Sequence, residues 1–318
     1  MPVGRRRFKA PGTLVRSAAR LLWRALSCAL IAGAVASPAL AADSGSKQSF
    51  DIYGFAEADA IHDINRVDPN WNDAFRPSKI GVDDQYGSSG ETSVSVKQSR
   101  FGVKGVMPTA DDSPPIDFKF EFDLYGVGVD AGQTTFRLRH MYGEWGPLLA
   151  GQTNTLFMDI DVFPNTIDYW GPSGMVFLRN PQIRWTPYRT DSSHFAIAIE
   201  KPGNDIDAGN SRLAEGYQDL NVQNNEPWPD LTMQWRMDES WGHVQVAGIL
   251  RDVGFEYKLN PNDRNFTTGS KTGWGVNLAS AIKTVGKDQL LLQIVHGDGI
   301  ASYMNDGGMD IAPQATTC

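Results

Sequence analysis

The segment at residues 116–125 alternates strictly between apolar and polar side chains, and this pattern restricts the fold more than any other feature of the chain. Its apolar positions are Ile116, Phe118, Phe120, Phe122 and Leu124. Because successive side chains of a β-strand point to opposite faces, a period of two predicts a strand with one apolar and one polar face. A soluble β-sandwich and a membrane barrel both use such strands, so one strand does not choose between these folds.

The same alternation recurs along the chain and predicts eleven strands. We expect them near residues 50–65, 92–108, 116–127, 134–147, 148–155, 179–189, 194–203, 230–242, 243–258, 272–285 and 289–303. Within the second of these strands the apolar positions change phase, which indicates a β-bulge near residues 97–99.

The lengths of the connections separate the two folds. The connections after the even-numbered strands are short, at residues 109–115, 146–147, 190–193, 240–242 and 286–288. Those after the odd-numbered strands are mostly long, at residues 66–91, 128–133, 156–178, 204–229 and 259–271. Short turns at one rim and long loops at the other are typical of outer-membrane barrels. The sequence therefore predicts an all-β fold, a transmembrane antiparallel β-barrel.

Residues 1–42 have the pattern of a secretion signal peptide. Seven basic residues and no acidic ones occur there, an apolar stretch covers residues 25–35, and small residues allow cleavage near Ala41 or Ala42. A membrane-anchor helix is the alternative, although about 11 apolar residues are few for a span that needs ~20. Residues 43–318 are then the mature chain, which we expect to form one barrel domain.

The charge of the mature chain excludes one class of partner. Cleavage leaves 22 Lys and Arg against 37 Asp and Glu, a formal charge of −15. Nucleic-acid binding requires a basic face, so no nucleic-acid partner is expected. Of the two cysteines, Cys28 lies in the predicted signal peptide, and Cys318 alone cannot form an internal disulfide.

Enzyme motifs are missing from the sequence. It contains no His-Glu-x-x-His zinc motif, no Gly-x-Ser-x-Gly nucleophile motif and no phosphate-binding loop, and its five histidines lack the spacing of metal ligands. We therefore expect no catalytic residue, cofactor or metal. An exported β-rich hydrolase or carbohydrate-binding protein stays an alternative, in which paired acids would serve as general acid and base.

Short motifs resemble those of Gram-negative porins. Residues 99–105 (SRFGVKG) resemble the second-strand signature of general porins. Eight further segments resemble DcaP-type porins: 51–55 (DIYGF), 66–71 (RVDPNW), 76–80 (RPSKI), 151–153 (GQT), 157–159 (FMD), 163–166 (FPNT), 171–174 (GPSG) and 179–184 (RNPQIR). The resemblance spans roughly residues 50–300. It implies a sixteen-stranded homotrimer, surrounded by outer-membrane lipid, that admits small anionic solutes, dicarboxylates among them.

Two features depart from that family pattern. Eleven strands are fewer than sixteen, and a closed bacterial barrel of one chain needs an even number. The chain also ends in Ala-Thr-Thr-Cys instead of an alternating strand with a terminal Phe. We therefore expect a C-terminal truncation that removed about five strands from the family-type barrel, and a non-functional porin fragment is a further alternative.

The candidate site residues are charged groups that would face each other across a pore. Residues 156–178 resemble the loop that folds into the lumen of general porins, and this loop contains Asp159, Asp161 and Asp168. The predicted basic wall opposite consists of Arg100, Arg137, Arg139, Arg179, Arg184 and Arg236. Guanidinium groups bind carboxylates through two parallel hydrogen bonds, so this arrangement predicts an anion-selective constriction. Solvated lumen charges or loop salt bridges are the alternative for any single residue.

Overall fold

The structure is a computed structural model that describes residues 48–69, 79–82, 85–87, 90–110, 113–126, 135–167, 174–203, 222–258 and 264–311. These residues belong to one compact unit, Ser46–Cys318. The signal peptide predicted at residues 1–42 lies outside the described ranges and stays a prediction.

Strands make up nearly all of the regular structure in these ranges. They are β1 (Ser49–Phe55), β2 (Asp59–Asp63), β3 (Glu91–Ser95), β4 (Arg100–Met107), β5 (Ile116–Asp123), β6 (Arg137–Trp145), β7 (Leu148–Asn154), β8 (Arg179–Arg189), β9 (Ser193–Glu200), β10 (Gln223–Asn224), β11 (Asp230–Glu239), β12 (Gly242–Tyr257), β13 (Thr267–Lys283) and β14 (Gln289–Asp298). Two short 3-10 helices occupy Ile160–Val162 and Ala301–Tyr303. None of the described helices is long and apolar enough to cross a membrane.

Twelve of the strands form a single antiparallel sheet. Its order is β1, then β4 to β9, then β11 to β14, while β10 pairs with β12 outside this path. Apart from β2, β3 and β10, each strand therefore lies beside its neighbour in the sequence, the arrangement of an up-and-down barrel. The eleven strands of the path correspond to the eleven predicted ones, whereas β10 was not predicted.

The first two predicted strands are each interrupted. β2 and β3, which were predicted as continuations of β1 and β4, form a separate two-stranded sheet. A tight turn replaces the predicted bulge near residues 97–99, since the Ser99 amide donates to the Val96 carbonyl at 3.0 Å. The Ser99 hydroxyl also accepts from the Glu57 amide at 3.0 Å and donates to the Glu57 carbonyl at 3.1 Å. These two bonds hold the breaks in both strands side by side.

Most connection lengths alternate as the sequence predicts. The links at residues 146–147, 190–192, 240–241 and 284–288 are short, and those at 64–90, 124–136, 155–178 and 201–229 are long. The links at 108–115 and 258–266, predicted to be short and long, are nearly equal in length. Gly146 and Gly286 have φ angles of +56° and +64°. This left-handed conformation is favourable for glycine and allows the tight reversals at the short-turn rim.

The two faces of the sheet have burial opposite to that of a soluble protein. On β13, Trp274, Val276 and Leu278 are 41–46% exposed, whereas the intervening Asn277 and Ala279 are 0% and 1% exposed. The exposed apolar face continues over the sheet and includes Phe101, Phe120, Met141, Ile183, Trp185, Ile199, Val246, Leu290, Leu292 and Ile294. An apolar surface of this extent indicates contact with lipid or another apolar partner.

Candidate functional site

The connection between β7 and β8, residues 155–178, is here called the crossing loop, and its described parts, 155–167 and 174–178, lie on the polar face of the sheet. Phe157 in this loop is fully buried and packs in one cluster with Ile249 of β12 and with Tyr303. The strands of the large sheet form what we call the wall, and two of their buried side-chain amides bind the backbone of the loop. Asn277 donates to the Phe157 carbonyl at 2.8 Å, and Gln245 donates to the Met158 carbonyl at 3.0 Å. The wall thus satisfies loop carbonyls that are shielded from water.

Two of the predicted loop acids fasten the crossing loop to the wall. The guanidinium group of Arg236, on β11, lies 3.4 Å from the Asp159 carboxylate and 2.7 Å from that of Asp161. Asp159 is fully buried and its other oxygen lies 2.7 Å from Nε2 of His243. Oxygen and nitrogen atoms of Asp159, Asp161 and His243 come within 4.8 Å of one another, as in a metal site. Arg236 contacts both carboxylates there, so the guanidinium already supplies the positive charge.

The loop reaches the opposite side of the polar face at Ile167. The carboxamide of Gln98, in the turn between β3 and β4, donates to the Ile167 carbonyl at 3.2 Å. The same nitrogen donates to Glu57 at 3.2 Å and to Asp59 at 2.9 Å. The crossing loop is therefore held by β11 to β13 at one end and by the β1 to β4 side at the other.

A cavity of about 720 Å³ lies between the crossing loop and the wall. Its charged lining residues are Glu57, Arg100, Lys119, Glu121, Asp123, Arg137, Arg139 and Arg179. Among the residues that the structure describes, five cations and three carboxylates give this lining a formal charge of +2 with His140 neutral. The cavity is thus locally positive in a chain whose formal charge is −8.

A β-bulge increases the number of basic groups in the cavity. In the β5–β6 pair, Glu121 lies opposite His140 and Phe122 lies opposite Leu138, so Arg139 is an extra residue in β6. The bulge lets both Arg139 and His140 turn to the polar face, where both are buried. Alternation alone assigns only one of two adjacent residues to that face.

Ion pairs fix two of the cavity arginines. Arg137 binds Asp123 through two hydrogen bonds of 2.9 and 2.6 Å. Arg139 lies between the acids, 2.7 Å from Glu121 and 2.8 Å from Asp123. Glu121 also accepts a 2.7 Å bond from the Tyr53 hydroxyl. Such bidentate and bridging pairs orient the guanidinium groups and reduce their mobility.

Arg179 differs from these two arginines. Its guanidinium carbon lies 4.8 Å from the centre of the Phe177 ring. In the described part of the chain, no carboxylate lies within ion-pair distance of Arg179, although the residue lines the cavity. Stacking on an aromatic ring leaves the outer edge of a guanidinium group able to bind an anion.

The structure brings four of the six predicted arginines into this cavity: Arg100, Arg137, Arg139 and Arg179. Arg184 lies outside its lining and donates to Gln182 at 3.1 Å and to the Asn154 carbonyl at 2.8 Å. Arg236, Asp159 and Asp161 hold the loop, and Asp168 lies outside the described residues.

Sequence reasoning did not name the acidic half of the site. The alternation placed Lys119, Glu121 and Asp123 on the polar face of a predicted strand. Their position on the same face as the basic residues was the signal from which their place in the cavity could have been predicted. Nothing in the sequence pattern marked Glu57, because this residue lies in an interruption between strands.

A second segment, residues 299–311, also lies on the polar face and pairs with the crossing loop. The Phe177 amide donates to the Tyr303 carbonyl at 2.9 Å, and the Asn305 amide donates to the Met175 carbonyl at 2.6 Å. Arg251 of β12 connects this segment to the wall. The two segments therefore form one hydrogen-bonded layer over the sheet.

Comparison with known proteins agrees with this geometry. The structure is similar to the crystal structure of the outer membrane channel DcaP of Acinetobacter baumannii, with a TM-score of 0.64 and 22% identity over 83% of this chain and 68% of that one. This likeness confirms the predicted all-β barrel fold class. A search of curated proteins gave no match. Neither the structural match nor the family match is to an enzyme family. The model of the DcaP outer membrane protein family matches residues 29–310, and the chain therefore belongs to that family.

Proposed function

We propose that the chain forms a passive outer-membrane diffusion channel for small anionic solutes, with dicarboxylates as the preferred class. The observation that carries this proposal is the cavity, whose lining has a formal charge of +2 although the chain is acidic overall. The similarity to an outer membrane channel supports the pore function. A homotrimer, exported by a signal peptide at residues 1–42, is part of the same proposal.

Arginines with and without a carboxylate partner among the described residues have different tasks in this channel. Arg137 and Arg139, held by Asp123 and Glu121, maintain a positive wall whose geometry does not change when a solute enters. Arg179 offers its outer edge to a carboxylate, which exchanges part of its hydration shell for two hydrogen bonds. Several weak contacts in sequence allow a solute to enter and to leave, as conduction requires.

Arg179→Gln tests the proposal directly. In planar bilayers with a KCl gradient, the reversal potential of the unaltered channel should show a preference for anions. The variant should reduce the anion-to-cation permeability ratio at least about fivefold, because ~1 kcal/mol of Coulomb energy for one charge 4 Å away in water gives that factor for the anion alone.

The control is Arg189→Gln, which removes the same charge from an exposed residue that pairs with Glu144 outside the cavity. This variant should keep the ratio of the unaltered channel. An unaltered channel that prefers cations, or equal effects of the two substitutions, would contradict the proposed anion pathway.

A second prediction concerns the apolar face. Leu278→Arg should destabilise the protein in a membrane by about 2–4 kcal/mol, because the charge would enter hydrocarbon. The same change at an exposed site in water costs roughly 0.5 kcal/mol or less. Folding titrations in lipid vesicles measure the difference.

Val285→Arg is the matched control, because Val285 is exposed in the turn between β13 and β14. Equal small costs for both variants, together with recovery of the chain in the periplasm, would instead favour a soluble exported protein.

A further inference from the structure

We propose that Glu57 is a selectivity-determining residue of the channel. Its carboxylate weakens the binding of divalent anions to the arginines of the cavity. This inference rests on the proposed anion channel. Glu57 lies between β1 and β2 and lines the cavity together with Arg100 and Arg179. Its negative charge therefore acts on the same solutes as the arginines.

The carboxylate of Glu57 differs from the other two acids of the cavity. Glu121 and Asp123 are neutralised by direct ion pairs with Arg139 and Arg137. Among the described residues, no Lys, Arg or His nitrogen lies within ion-pair distance of Glu57, which accepts instead from the neutral Gln98 amide at 3.2 Å. A neutral donor does not neutralise the carboxylate as a direct ion pair would, so its field extends into the cavity.

The position of this charge is built into the fold. Ser99 binds both the amide and the carbonyl of Glu57, so the backbone is fixed without help from the side chain. Gln98 fixes the side chain and at the same time binds the Ile167 carbonyl of the crossing loop. Glu57 is thus held where the loop meets the wall, and its substitution leaves both Ser99 bonds in place.

The consequence for transport follows from the charge of the lining. With Glu57 ionised the formal charge is +2, and without it the charge is +3. A stronger positive field favours entry of a dianion but also slows its exit, and conduction needs binding weak enough for release. Glu57 therefore sets the balance between the capture and the release of doubly charged solutes.

Glu57→Gln in planar bilayers is the test, with KCl as the current carrier and succinate as the dianion. The anion-to-cation permeability ratio should rise at least about fivefold, the factor that removal of one charge about 4 Å away in water gives for the anion alone. Succinate should also reduce the chloride current at correspondingly lower concentration. Glu57→Asp, which keeps the charge, should behave like the unaltered channel.

Glu144→Gln is the matched control, because Glu144 pairs with the exposed Arg189 outside the cavity and its loss changes the total charge equally. Equal effects of Glu57→Gln and Glu144→Gln in a channel that prefers anions would overturn this inference and leave the proposed function intact. An unaltered chain without channel activity would overturn both. If Glu57→Gln does not assemble, Glu57→Ala gives a second neutral variant with the same expected result.

Discussion

Arg251→Ala should lower the free energy of unfolding by about 3–5 kcal/mol, because it leaves two buried carboxylates without their cation. The side chains of Arg251 and Asp230 are each 2% exposed, and that of Asp310 is fully buried. The guanidinium group lies 3.0 Å from Asp230 and 3.1 Å from Asp310, and it donates to the Gly299 carbonyl at 2.7 Å. It therefore joins β11, β12 and the segment at residues 299–311.

The measurement is urea unfolding in detergent, followed by tryptophan fluorescence. Lys271→Ala is the control, because the Lys271–Asp298 ion pair is about half exposed and such pairs contribute roughly 0–1 kcal/mol. The prediction fails if the two variants differ by less than about 1 kcal/mol, which is the upper end of an exposed pair.

A triple variant separates charge from packing. Arg251→Met combined with Asp230→Asn and Asp310→Asn removes all three charges and should recover much of the lost stability. The reason is that the cost of breaking a buried ion pair comes mainly from the charge left behind. If the triple variant is as unstable as Arg251→Ala, the contribution of Arg251 is instead packing against the Tyr303 ring, 4.9 Å away.

The sequence predicted the strands of the sheet better than the contacts among the side chains on its polar face. Alternation in segments such as residues 116–125 is a local property, and it predicted which side chains of β5 lie on the apolar face of the sheet. The odd–even pattern of connection lengths likewise predicted the order of the path in the sheet. Each of these features depends on residues that are close in the chain, which is why the sequence was sufficient.

Interruptions of the alternation were harder to predict. The break between β1 and β2 depends on hydrogen bonds between Glu57 and Ser99, which are 42 residues apart. The bulge that turns both Arg139 and His140 inwards depends on the register with β5. A period of two assigns a face to each residue but contains no information about such long-range partners.

The site was predicted in part for the same reason. Charge and face together predicted a basic wall, and Arg100, Arg137, Arg139 and Arg179 line one cavity. The task of each charge depends on its neighbours in space. Asp159 is an example: as a loop acid it resembled a constriction residue, but it accepts from the Asp161 amide at 3.1 Å and contacts Arg236 and His243.

Phe157→Ala should loosen the packing of the crossing loop on the wall and raise the single-channel conductance. Phe157 is fully buried, and its ring lies 6.2 Å from that of Tyr303. Gly275 of β13 leaves the space for this ring, since a Cβ atom there would come within 2.9 Å of it. Truncation of a buried Phe to Ala costs about 3–5 kcal/mol, and the loop contributes much of that packing.

The effect should appear in both stability and conductance. The Phe157 and Met158 carbonyls would keep their bonds to Asn277 and Gln245, but these two bonds contribute only about 1 kcal/mol each. Together with the ion pairs of Arg236 they would keep the loop attached, but its position would no longer be fixed once the ring is gone, and single-channel recordings should show a larger and noisier current.

Ile64→Ala, a similar truncation at an exposed position in the connection between β2 and β3, should change neither quantity. An unchanged conductance for Phe157→Ala in a folded channel would show that the crossing loop does not limit the width of the pore. The constriction would then lie elsewhere in the channel. A higher conductance with unchanged anion preference would separate the two parts of the site. The loop would set the width of the passage, and the arginines of β4, β6 and β8 would set its charge.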